Sequence, residues 1–146
     1  AWWLGWLMEP ETVAAIVKAE AETDEATKRV ELECERAVML LTSKRDKELL
    51  RSHHESEAAI EQAKVEHKGD SAKLKAAMTK IWQHAKEAME IAEVDCKRKC
   101  DLLELDKQAE VIRLATEYME LWKVYEAKDK AKAESRSARW GRTTET

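Results

Sequence analysis

Apolar side chains recur every three or four residues along the second half of the chain. From Leu74 to Tyr125 the row covers 51 residues in 14 steps, or 3.64 residues per step. A row with this period stays on one face of an α-helix. The period is closer to the about 3.67 of an eleven-residue repeat than to the about 3.5 of a heptad, which predicts a nearly straight helix. The members are Leu74, Met78, Ile81, Ala85, Met89, Ala92, Cys96, Cys100, Leu103, Lys107, Val111, Leu114, Tyr118, Leu121 and Tyr125.

A single strong break interrupts the helical pattern, at Lys68-Gly69-Asp70-Ser71. Gly69 suits the left-handed position just past a helix end, and Asp70 or Ser71 suits the N-cap of the next helix. Folding the chain here pairs residues whose numbers sum to about 139, so that apolar residues face apolar ones. The predicted fold is therefore all-α, a long antiparallel helical hairpin. One extended helix is the alternative, in which Gly69 costs about 1 kcal/mol relative to Ala.

This division predicts four segments. Residues 1–9 form a Trp-rich apolar anchor, residues 10–68 the first long helix, residues 71–137 the second long helix, and residues 138–146 a flexible basic and polar tail. Pro10 marks the first helical position, where proline is favoured. Ser137 and Gly141 weaken the helical pattern near the end, which favours a frayed terminus.

The N-terminal segment is unusually rich in tryptophan, with three of the six Trp residues in its first six positions. It is too short to cross a bilayer, which needs about 20 apolar residues in a helix. Three interpretations remain open, of which two involve an external contact: contact with a membrane surface at the headgroup level, or insertion into a hydrophobic pocket of a partner protein. A third is that the segment folds back on its own helices. The predicted anchor residues are Trp2, Trp3, Leu4, Trp6 and Leu7.

A second predicted contact region lies between residues 111 and 125. Ten of its fifteen residues are apolar or aromatic, and on a helix they occupy an arc of about 240°. One antiparallel neighbour covers less than that, which predicts a further partner helix. The predicted contact residues are Val111, Leu114, Tyr118, Met119, Leu121, Trp122 and Tyr125.

Composition and charge agree with long helices. Charged residues make up 38%, and the 146 residues include three Gly, one Pro and no Phe. The net charge of −4 is divided unevenly. Residues 1–70 include ten basic and sixteen acidic residues, whereas residues 71–146 include sixteen basic and fourteen acidic residues. An antiparallel hairpin brings the acidic beginning close to the basic end.

No pattern of residues predicts chemistry. Cys96 and Cys100 share a helical face, but two thiols do not complete a metal site, and Cys34 is expected opposite residue 105. Glycine-rich phosphate loops and nucleophile elbows are absent from the sequence. Basic clusters such as Lys97-Arg98-Lys99 lack interleaved aromatic residues. We therefore expect no catalytic, cofactor or metal site, no nucleic-acid partner and no small-molecule substrate.

The sequence instead favours a non-catalytic structural subunit. Its role is that of an extended helical spacer in a larger multi-subunit complex, held by the N-terminal anchor and by the contact region around Trp122. A short apolar N-terminus followed by long Ala/Glu/Lys-rich helices resembles the stator subunits of rotary ATP synthases, and this resemblance implies a membrane-associated complex in the mitochondrion. The alternative is a cytoplasmic protein bound to filaments or microtubules.

Overall fold

The structure is a computed structural model that describes the backbone of residues 8–144 and the side chains of residues 8–141. It contains two helices, α1 (Pro10–Glu66, 57 residues) and α2 (Ser71–Thr144, 74 residues), with no strand in the described range. The helices pack against each other as an antiparallel hairpin. The predicted fold class is confirmed, and the alternative of one uninterrupted helix is wrong.

The connection between the helices uses the residues that the sequence indicated. Gly69 has a φ of 89°, and the amide of Asp70 donates to the carbonyl oxygen of His67 at 3.0 Å. The carboxylate of Asp70 then accepts a hydrogen bond of 3.1 Å from the amide of Lys73, three residues into α2. This is the N-cap arrangement, in which a side-chain oxygen satisfies one of the free amides of the first turn. Asp70, rather than Ser71, is therefore the cap.

The two described glycines allow a matched test of the turn. Gly69→Ala should lower the free energy of unfolding by about 1–2 kcal/mol, because a Cβ disfavours positive φ even though nothing lies within 4 Å of it. Gly141→Ala should leave that free energy unchanged or raise it by up to about 1 kcal/mol, because Gly141 lies within α2. Urea denaturation followed by circular dichroism measures both. Equal losses in the two variants would contradict the assignment of Gly69 to the turn.

The helix ends differ from the predicted bounds. The first helix ends at Glu66 rather than at residue 68, and the second continues to Thr144, beyond residue 137. The side chains of residues 130–141 are exposed. Ala, Lys, Glu and Arg dominate residues 126–139, and their intrinsic helix preference outweighs the two serines.

Shielded positions recur every eleven residues on both helices. Eleven residues make three turns of about 3.67 residues, so these positions stay on one face. On α1 they are Thr12, Thr23, Cys34, Arg45 and Ser56, and on α2 they are Leu74, Ala85, Cys96, Lys107, Tyr118 and Asp129; all are buried or half-buried. Of the fifteen positions in the predicted row, only Met89 and Leu121 are exposed. The predicted helical face is therefore confirmed.

The described residues belong to two compact units. Unit 1 comprises the described parts of Ala1–Leu32 and Lys107–Thr146, and unit 2 comprises Glu33–Asp106. In unit 1 the hydroxyl of Thr12 contacts the carboxylate of Asp129, and in unit 2 Ser56 and Ala85 line the same grooves. Both pairs have residue numbers that sum to 141, close to the predicted 139.

The buried core is small in both units. Among the described residues, six apolar side chains are only 6–8% exposed, and none of the six is completely buried. They are Met8, Ile16, Ile60, Ala63, Ala85 and Cys96. In unit 2 the small side chains of Ser56 and Ala85 leave two open grooves of about 630 and 250 Å³. The packing seam between the helices is therefore narrow and partly accessible to water.

Candidate functional site

The predicted N-terminal anchor lies outside the described residues. This applies to Trp2, Trp3, Leu4, Trp6 and Leu7, so their contact with lipid or protein stays a prediction. The description begins at Met8, which is buried. The site is therefore built from the remainder of unit 1.

Asp129 of α2 accepts hydrogen bonds from the N-terminal end of α1. Its Oδ2 accepts a hydrogen bond of 3.1 Å from the amide of Glu9, and its Oδ1 accepts one of 3.0 Å from the hydroxyl of Thr12. Glu9 is the N-cap residue of α1, because its carbonyl oxygen accepts the first helical hydrogen bond from the amide of Val13. A buried carboxylate at this position also faces the positive end of the helix dipole. Asp129 thus fixes the first turn of α1 on α2.

Oppositely charged residues surround this contact. The carboxylate of Glu9 lies 3.6 Å from Nζ of Lys132 and also pairs with the guanidinium of Arg136. These pairs join the acidic beginning of the chain to its basic end, as the charge distribution predicted. Because the lysine and arginine side chains are exposed, each ion pair contributes less than about 1 kcal/mol.

Five of the seven predicted contact residues belong to the seam of unit 1. Val111, Leu114, Tyr118, Trp122 and Tyr125 are half-buried, and the buried Asp129 continues their spacing of three or four residues. The indole Nε1 of Trp122 donates to the hydroxyl of Tyr118 at 3.0 Å, which satisfies the polar group of a partly buried ring. These five residues are therefore engaged, at least in part, by the hairpin itself.

The other two predicted contact residues, Met119 and Leu121, are exposed. Ile112 and Met119 are 66% and 59% exposed, and with Ala115 and the edge of Trp122 they follow one flank of α2 in steps of three or four residues. We call these four residues the flank strip. The sequence-based set omitted Ile112, although Ile112 lies within the arc that predicted the contact.

The opposite flank of α2 is charged. Arg113 donates from Nε to Glu110 at 3.0 Å and pairs through its other nitrogens with Glu110 and Glu117. The hydrogen bond with Arg113 holds the pKa of Glu110 below its usual range, and the same contact raises the pKa of Arg113. The ion network lies roughly half a turn from the flank strip, since consecutive residues are about 100° apart. One side of this stretch is thus polar and the other apolar.

The three thiols behave as small seam residues. In unit 2 the thiol of Cys96 donates to the carbonyl oxygen of Leu41, and that of Cys34 donates to the carbonyl oxygen of Leu103. The distance from sulfur to oxygen is 3.7 Å in each case. The Sγ atoms of Cys96 and Cys100 are 4.0 Å apart, and burial raises the pKa of the Cys100 thiol. Within the described residues, no group of three or more His, Cys, Asp or Glu side chains is placed to hold a metal ion.

Two further observations concern the class of protein to which the chain belongs. No helix within residues 8–144 combines the length and the apolar composition needed to cross a bilayer. Comparison of the chain with protein-family models, curated proteins and solved structures gives no match. The fold defines the protein as an all-α helical hairpin, and its function is inferred from its surface.

Proposed function

We propose that the protein is a non-catalytic structural subunit of a larger, membrane-associated assembly, in which the hairpin acts as an extended helical spacer that is attached at two points. One is the Trp-rich N-terminal segment and the other is the flank strip of unit 1. The observation that carries the proposal is the flank strip: Ile112, Ala115 and Met119 are exposed beside the half-buried Trp122.

The flank strip has the character of a helix-binding surface. Its side chains recur at the spacing with which an amphipathic partner helix makes contact. The packing of unit 1 leaves these apolar side chains in water, and burying each one would contribute about 1–2 kcal/mol. Methionine and tryptophan are also enriched at protein interfaces. A protein partner therefore suits this flank better than a charged ligand does.

Disruption of the flank strip tests the protein contact. In cells that produce the chain, the Ile112→Glu, Met119→Glu variant should lose at least tenfold of its population in high-molecular-mass assemblies on native gels. The matched control is Met39→Glu, Val65→Glu, which changes two equally exposed apolar residues of α1 in unit 2. An unchanged distribution of the flank variant, with the control also unchanged, would reject the flank strip as an attachment point.

Flotation tests the membrane contact separately. The full chain should float with vesicles of phosphatidylcholine and phosphatidylserine, because indole rings favour the headgroup region. A Trp2→Ser, Trp3→Ser, Trp6→Ser variant should remain at the bottom of the gradient. Equal behaviour of the two chains would remove the membrane from the proposal and favour attachment to a filament or microtubule.

A further inference from the structure

A second apolar row lies on the outer face of α2 within unit 2. Ile91, Val94, Leu102 and Leu105 are 56–70% exposed, and Arg98 occupies the middle of the row. Leu105 follows the buried Cys96 by nine residues, so the two side chains point about 180° apart. Each member follows a seam position of α2 by two residues, a rotation of about 200°. These seam positions are Met89, Ala92, Cys96, Cys100 and Leu103. The row therefore lies on the face of α2 that points away from the hairpin seam.

The row is symmetric about Arg98. Ile91 and Leu105 are each seven residues from Arg98, and Val94 and Leu102 are each four residues from it. If a second α2 helix lies antiparallel with Arg98 at the twofold axis, Ile91 meets Leu105 and Val94 meets Leu102 in both directions. Such self-complementarity is the requirement for an isologous dimer.

The charges beside the row favour the same arrangement. Asp95 of one copy lies near Lys99 of the other across the twofold axis, and Asp101 lies near Lys97 in the same way. The antiparallel arrangement therefore pairs unlike charges on both sides of the row.

Arg98 itself is accommodated at the centre. Its guanidinium is exposed and lies 3.0 Å from the carboxylate of Asp95 in its own chain, and Lys99 lies 2.9 Å from the same carboxylate. The long arginine side chain can keep its charge in water while its methylene groups cover the row. The two guanidinium groups are thus directed away from the axis, each towards an acid.

We propose that a second copy of this chain binds the outer row of α2, antiparallel and centred on Arg98. The proposal concerns unit 2 and is independent of the flank strip of unit 1. A contact of about four helical turns is smaller than a standard protein interface, so the dimer is reversible and dependent on concentration.

Sedimentation equilibrium of the full chain measures this association. Between about 1 µM and 1 mM, a range in which weak complexes are populated, the mass should rise from one chain towards two. Ile91→Glu, Leu105→Glu should weaken the dimer at least tenfold. The matched control Leu40→Glu, Leu50→Glu changes two exposed leucines of α1 in the same unit and should dimerise as the parent does. A monomer throughout, or equal dimers in both variants, would overturn the proposal.

Disulfide cross-linking determines the orientation. In a chain with Cys34→Ala, Cys96→Ala and Cys100→Ala, whose helicity is checked by circular dichroism, Arg98→Cys should form a self-linked dimer on mild oxidation. Ile91→Cys should not link to itself but should link to a chain carrying Leu105→Cys. Self-linkage of Ile91→Cys would overturn the antiparallel arrangement. A dimer that persists in the Ile112→Glu, Met119→Glu variant separates this result from the test of the proposed function.

Discussion

Replacement of Asp129 by alanine is expected to lower the free energy of unfolding of unit 1 by about 2–3 kcal/mol, because an N-cap contact is lost and the Thr12 hydroxyl loses its acceptor. Asp129 is buried and accepts hydrogen bonds from both the amide of Glu9 and the hydroxyl of Thr12. The first turn of α1 should then open more often. Urea denaturation, combined with amide hydrogen exchange of residues 11–16, measures the global and the local effect.

Two controls separate capping from a general loss of helix stability. Asp129→Asn keeps one acceptor oxygen and the shape of the side chain, and should cost about 1 kcal/mol. Thr12→Ala and Asp129→Ala should also be non-additive in a double-mutant cycle, because they remove the same hydrogen bond. Additive losses, or a loss no larger than that of the exposed Glu134→Ala, would contradict the role assigned to Asp129.

The Ile60→Ala substitution should have a comparable effect on unit 2. Ile60 is 8% exposed and belongs to a core with few other large side chains. Replacement of a buried isoleucine by alanine costs about 2–5 kcal/mol, and the open grooves near Ser56 place the expected loss near 2 kcal/mol, since water reaches the space that is vacated. Urea denaturation followed by circular dichroism measures the change.

The matched control for Ile60 is Val65→Ala. Val65 is on the same helix but is 77% exposed, so its truncation should change the free energy of unfolding by no more than about 0.5 kcal/mol. Similar losses for the two substitutions would mean that the seam at Ile60 does not stabilise unit 2. A loss confined to Ile60→Ala would confirm it.

The predictable part of the fold depended on strong local signals. The row from Leu74 to Tyr125 established one helical face, and Gly69 with Asp70 established the turn. The turn also determined the pairing between the helices to within two residues, because a short connection leaves little freedom in register. The second helix extended further than predicted because serines and a glycine weaken a helix without ending it.

The site was less predictable. Asp129 lies between Lys128 and Lys130, and this pattern is typical of a solvent-exposed, basic segment. Its place eleven residues after Tyr118 was the available signal, but its capping role also depends on where α1 begins. The arc from 111 to 125 predicted excess apolar surface correctly as a pattern, yet sequence alone could not say which flank α1 covers. The outer row centred on Arg98 was missed because each of its members follows a seam position by two residues, and the sequence alone does not show which apolar residues α1 leaves exposed.

The eleven-residue spacing of the shielded positions has a consequence for how such a protein can change in length. Removing or duplicating a matched block of eleven residues in each helix would return every later side chain to its former orientation, with the turn at Gly69 and the cap at Asp129 untouched. Blocks of five or six residues would instead rotate every later side chain by more than about 100°. Both helices can therefore be shortened or lengthened together by eleven residues, or three helical turns, without changing which side chains face the seam.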